Sequence, residues 1–110
     1  MPVWQKANKL ATEVFRLTAY LPRSEDYGLT SQIRRSSNSV SGNIAEGFGR
    51  HTSKDKSFFY TIARGSAFET QSHLLYGQQV EYFKQEQTEA IYQRYNSRML
   101  ELNRLMKALS

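Results

Sequence analysis

The chain has 110 residues and no cysteine, a size for one domain, 1–110, whose core needs neither disulfide nor metal to close. Its 15 Lys and Arg against 10 Asp and Glu give a net charge of +5, a balance that suits a polyanionic partner better than a basic one. The N-terminal MPVWQKANKLATEV holds no continuous apolar run, and no segment approaches the ~20 apolar residues of a membrane span, so neither signal peptide nor membrane helix is expected and the location is read as cytoplasmic.

In chain order, residues 4–21 predict the first helix. Trp4, Ala7, Ala11, Val14, Thr18 and Leu21 recur three and four apart, and Leu10, Phe15 and Leu17 widen the stripe to the broad face of a bundle helix. Pro22 ends it, PRSEDYG makes a short connection, and Thr30 or Ser31 is the expected cap of the next helix. That second helix, 30–48, is rich in Ser and Gly, which are poor helix formers. Ile33, Ser37, Val40, Ile44 and Phe48 nevertheless keep helical spacing, so packing against a close neighbour must hold it. Gly47 or Gly49 stops it. Thr52 or Ser53 caps a long third helix, 53–82, with Asp55 in its first turn to complement the dipole. Phe58, Phe59, Ile62, Ala63, Ala67, Phe68, Leu74 and Leu75 cover more than one side of this helix, which calls for two partners: the core, and either a second subunit, the reading preferred for so small a bundle, or a crowded interior. KQEQT, 84–88, reads as a turn. The last helix, 88–109, carries Ile91, Tyr95, Met99, Leu102, Leu105 or Met106, and Leu109. Four helices with short links make an all-α, antiparallel up-down-up-down four-helix bundle.

The positive charge is uneven. Between Arg34 and Arg64 lie six basic residues against Glu46 and Asp55, a net of +4. Arg34 and Arg35 point about 100° apart on a helix, so at least one is exposed. With Arg50, Lys54 and Lys56 they form the candidate nucleic-acid-binding set, suited to phosphate contacts without sequence readout. The glycines do not make a phosphate loop: Phe48 stands where a Walker motif needs Lys, and no strand precedes. His51 and His73 have no acidic cluster at ligand spacing, and no Ser-His-Asp arrangement is evident. No metal, cofactor or catalytic residue is therefore assigned, and the expected protein is not an enzyme.

The stretch YGLTSQIRRSSNSVSGNIAEGFGR, followed by IARGSAFET, resembles the bacterial four-helix-bundle family named for 23S rRNA intervening sequences. The resemblance is carried by Tyr27, Gly28, Leu29, Gln32, Ile33, Arg34, Arg35, Asn43, Ile44, Ala45, Glu46, Gly47 and Arg50, then by Ala63, Arg64, Gly65, Ser66 and Glu69. It departs from the family pattern at Ser36 and Gly42. The resemblance implies a left-handed bundle assembled as a homopentamer. More distantly, the chain resembles the accessory variability protein of diversity-generating retroelements, a basic pentamer that binds nucleic acid and a reverse transcriptase. The partners so implied are the chain itself, RNA or DNA, and a protein encoded at the same locus. A scaffold that binds no nucleic acid is the alternative.

The motif also implies a structural network of Asn43, Glu46, Arg64, Ser66 and Glu69. In it Glu46 reaches Arg64 and Asn43 reaches Ser66, setting the register of helices two and three; the alternative is a surface i,i+4 pair of Glu46 with Arg50. On that wiring, removing Arg64 lowers the melting temperature sharply.

Overall fold

The computed structural model describes residues 1–110. Helix α1, Pro2–Leu17, opens with proline in its first turn, where the missing N–H costs nothing. It buries Val3, Ala7, Leu10 and Val14. The buried line is thus rotated from the expected one: Trp4 is 37% exposed and Phe15 56%. The α-helix also stops short of residue 21. The Thr18 hydroxyl donates back to the Val14 carbonyl at 2.9 Å, the chain tightens into a 3-10 turn at Thr18–Tyr20, and Leu21 is extended (φ −68°, ψ 148°), as a residue before proline prefers.

A second 3-10 turn, Arg23–Glu25, leads into α2, Leu29–Phe48. Its cap is not the expected one. The Leu29 N–H donates to Glu25 Oε1 at 3.1 Å, while Thr30 is buried inside the first turn. Accepting this bond, and one from the Tyr82 hydroxyl, holds the Glu25 carboxyl below the usual range.

The buried side of α2 is Ile33, Ser36, Ser37, Val40, Ser41, Ile44 and Gly47; Phe48, expected on this line, is 62% exposed. Burying serines is tolerable here because each hydroxyl has an acceptor. Ser36, Ser37 and Ser41 donate to the carbonyls of Ile33, Arg34 and Asn38 at 3.2 Å, and Ser36 Oγ meets Thr70 Oγ1 of the next helix at 2.8 Å. Small side chains on α2 and Ala63 and Ala67 on its neighbour let the two backbones approach closely. The helix that propensity disfavours is held by the partner it admits.

Helix α3, Ser53–Gln79, is capped as the sequence indicates: Thr52 Oγ1 accepts the Asp55 N–H at 3.1 Å. It ends at Gln79, before the expected 82. The Tyr82 N–H donates to the Gly77 carbonyl at 2.8 Å and the Glu81 N–H to the Gln78 carbonyl at 3.0 Å, the two bonds of a Schellman motif. Glu81 sits at φ 69°, the position that normally takes glycine. Glu81→Gly is expected to stabilise the chain by about 0.5–1 kcal/mol, read as a higher denaturation midpoint.

Helix α4, Gln85–Leu109, starts three residues before the expected 88. KQEQT is therefore not a turn: Lys84 is the extended N-cap, and Glu86 in the first helical turn complements the dipole. Its inner line runs through Thr88, Ile91, Tyr95, Met99 and Leu102, with Leu105, Met106 and Leu109 partly buried against the core. Gln71 ties α3 to α4 by donating to Asn96 Oδ1 at 2.8 Å and to the Tyr92 carbonyl at 3.0 Å.

The four helices pack α1 on α2, α2 on α3, α3 on α4, with α4 closing on α1, as an antiparallel bundle with no strand. No helix is long and apolar enough to cross a membrane. The closing contact carries a two-pronged ion pair between Arg94 and Glu13, one bond being 2.8 Å. The hydrogen bonds from Arg94 outweigh partial burial and hold the Glu13 carboxyl below 4.5. A carboxyl depressed on folding contributes its stability above the unfolded value and loses it as pH falls through the lowered folded value. The denaturation midpoint is thus expected to fall as pH drops below 4.5, with a shallower fall in Glu13→Gln. The pair is partly exposed, so the difference is about 0.5–1 kcal/mol and shrinks with salt.

Candidate functional site: the outer face of α3 and the groove between α1 and α2

Helix α3 places Ala63, Ala67, Thr70 and Leu74 in the core. Its opposite side carries Phe58, Ile62, Gly65, Phe68, Ser72 and Leu75 at spacings of three and four. Phe58 is 60% exposed, Phe68 57%, and Ile62, Leu75 and neighbouring Tyr76 are likewise open. This is a helix-long, largely apolar strip that no part of the same chain covers, where single exposed apolar residues would be unremarkable.

The five cations singled out from the sequence do not converge. Arg35 pairs with Glu69 of α3 and also donates to Gln32 Oε1. Arg50 donates to Glu46 Oε2 at 3.2 Å and lies 4.6 Å over the Phe59 ring. Lys56 donates to the Phe48 carbonyl at 2.8 Å, closing the C-terminus of α2 as a cation should. Lys54 is exposed, with no hydrogen-bond or ion-pair partner in the fold. Arg34 lies on the other side of α2, and 16 residues of mostly helical rise put it roughly 20 Å from Arg50.

Arg34 is held across the α1–α2 boundary. Its Nε donates to Thr18 Oγ1 at 2.8 Å, one terminal nitrogen donates to the Phe15 carbonyl at 3.2 Å, and the guanidinium lies 4.0 Å over the Phe15 ring. Beside it runs an open groove of about 650 Å³ between α1 and α2, lined also by Asn8, Thr12, Arg16 and Asn38. The sequence reading missed Phe15 and Arg16. Nothing local signals that α1 supplies an aromatic partner to an arginine of α2.

The structural network is wired differently from the sequence expectation. Ser39–Ser66 at 3.0 Å, Ser36–Thr70 and Arg35–Glu69 fix the register of α2 against α3. That register sets Glu46 level with Phe59, and Arg64 level with Ser41, five residues and about 7.5 Å further along. Glu46 therefore turns to Arg50, and Arg64 reaches across to α4, donating to Asn103 Oδ1 at 2.8 Å. Asn43 reaches Ser66 only through Ser39, to whose carbonyl it donates at 2.8 Å and whose hydroxyl lies at 2.9 Å. Glu69 joins α2 to α3 through Arg35 and also meets His73 Nε2 at 3.0 Å. Burial raises its carboxyl, but the His73 bond and the charge and bond of Arg35 together prevail and lower it. With a single exposed hydrogen bond to lose, Arg64→Ala is expected to cost no more than about 1 kcal/mol, a shift of a few degrees in melting temperature rather than a collapse.

Helices of these lengths in this order, with an uncovered apolar strip outside and small residues between α2 and α3, define an antiparallel four-helix bundle. Residues 1–104 match the family model described as 23S rRNA-intervening sequence protein, and the chain belongs to that family. Among solved structures it is similar to a protein of unknown function from the S23 ribosomal protein family of Bacteroides thetaiotaomicron, at 24% identity and a TM-score of 0.85, over 96% of this chain and 98% of that one. At that identity the likeness speaks for the fold. No curated protein matches.

Proposed function

We propose that the protein is a non-enzymatic four-helix bundle that self-associates as a ring and binds RNA or DNA through a basic surface. The observation that carries the first half is the outer strip of α3. Five large apolar side chains along one helix face are better buried against another copy than left in water. A face that meets a different face of the next copy closes into a ring when the rotation allows, and the family resemblance supplies five as the number of subunits. The second half is supported by the net charge of +5 and by Arg34, a cation with no carboxylate partner. A ring repeats a modest patch once per subunit and so raises avidity for a long polyanion.

A purely structural scaffold is the second reading, and one observation favours it. Arg35, Arg50 and Lys56, three of the five candidate cations, are engaged within the fold. The two readings part in one experiment, titration of labelled RNA and DNA at several salt concentrations, with mass measured in parallel by light scattering. Binding that weakens steeply as salt rises supports the nucleic-acid role; a large assembly that binds neither polymer at low salt leaves the scaffold.

A further inference from the structure

We propose that the groove between α1 and α2 is a binding site for single-stranded nucleic acid, with unpaired bases stacking at Phe15 and phosphates held by Arg16 and Arg34. The inference rests on the nucleic-acid half of the function proposed above and gives it a place and a substrate class.

Three observations converge on this groove. The first is cationic charge that no ion pair of the fold takes up, though Arg16 also acts on Glu13 through space. Arg34 and Arg16 both line it, and the five ion pairs of the fold include neither. Glu13, one turn from Arg16 on α1, is committed to Arg94 on the α4 side. No carboxylate lines the groove. The surface near Arg50, by contrast, carries two carboxylates, Glu46 and Asp55, against that one arginine.

The second observation is an exposed aromatic held against a fixed cation. Phe15 is 56% exposed, with a guanidinium 4.0 Å from its centroid. Arg34 is anchored there by Thr18 Oγ1 and the Phe15 carbonyl, so little side-chain entropy is left to lose when a phosphate arrives. Exposed ring plus anchored cation is the pairing that single strands use, a π-face for the base and a positive charge for the backbone beside it. A duplex keeps its base faces stacked inside and offers only phosphates.

The third is the remaining lining. Asn8, Thr12 and Asn38 supply side chains that both donate and accept, which suits base edges of any sequence. Trp4 lies on the same side of α1 as Asn8, Ala11 and Phe15, at spacings of four, three and four, and extends the aromatic line beyond the groove.

The test uses the full chain and fluorescein-labelled oligonucleotides of about 20 nucleotides, a single strand and its duplex, followed by anisotropy at low and moderate salt. The single strand is expected to bind about tenfold tighter than the duplex, or better. Phe15→Leu, which keeps apolar bulk at an exposed position, is expected to weaken single-strand binding about tenfold while leaving the helical circular dichroism unchanged. Arg16→Gln is expected to reduce the slope of log affinity against log salt by about 0.7. Arg64→Gln, on the α3–α4 side of the bundle and away from the groove, is expected to change neither. Equal affinity for duplex and single strand overturns the proposal. So does binding by the parent chain that both Phe15→Leu and Arg16→Gln leave intact, and in either case nucleic-acid binding itself survives. Absence of any binding at low salt overturns both readings together.

Discussion

Replacing Phe68 and Leu75 together by glutamate is expected to give a folded protein of monomeric mass, 12.8 kDa, where the proposed ring requires the parent chain to assemble. Both side chains are open in the isolated bundle, 57% and 42% exposed, so within one copy the change sits at the surface and costs about 0.5 kcal/mol or less per site. Between copies the effect is of another order. Each interface would have to bury carboxylates where it formerly buried a phenyl ring and a leucine, and an unpaired buried charge costs several kcal/mol. Repeated in every subunit, that penalty exceeds what an interface built on one helix face supplies. Light scattering measures the mass, and circular dichroism confirms that the helices persist. A parent chain that already runs at 12.8 kDa, or a double variant that still assembles, removes α3 as the contact. Phe58 and Tyr76, at the two ends of the strip, provide independent sites for the same substitution.

Four elements and their order were legible because apolar spacing survives even in α2, where composition argues for a loop. Ile33, Val40 and Ile44 sit where that spacing places them, with no exposure. Helix ends were legible only where a local device marks them. Thr52 is such a device, a hydroxyl at the N-cap followed by an acid three residues on. Glu81 is the opposite case: it takes a left-handed turn that glycine usually signals, so the end of α3 was invisible. Glu25 capping Leu29 is also unreadable from the caps preferred in sequence, because the carboxylate reaches forward from a separate turn.

The candidate site was less legible than the fold, for a geometric reason. Spacing along one helix is fixed by its pitch, but the axial register between two helices is not. A shift of five residues between α2 and α3 is enough to send Arg64 to Asn103 and leave Glu46 to Arg50. Likewise, Arg34 and Arg35 are adjacent in sequence yet serve different neighbours, α1 for the one and α3 for the other. The charge excess between Arg34 and Arg64 is real, but most of its cations are used up by contacts that only the folded chain brings together.

The close approach of α2 and α3 is what the whole fold turns on, and a pair of glycines tests it. Gly42 and Gly47 lie in the same helix, and alanine at either favours the helical state by about 0.8–1 kcal/mol. At Gly42 nothing lies within 4 Å of an added Cβ, so that gain is expected in full. At Gly47 the same atom would lie 2.7 Å and 2.9 Å from the Tyr60 ring and 3.2 Å from the Lys56 carbonyl. Tyr60 is only 3% exposed and cannot swing into solvent, and the carbonyl belongs to the backbone of α3. Relieving such overpacking costs about 1–3 kcal/mol, which matches or exceeds the gain in propensity. Gly42→Ala should therefore raise the urea midpoint and Gly47→Ala lower it, with the slope of the transition unchanged in both. If Gly47→Ala stabilised as Gly42→Ala does, α2 would not be held against Tyr60, and the serines on its inner face would need another explanation for their burial.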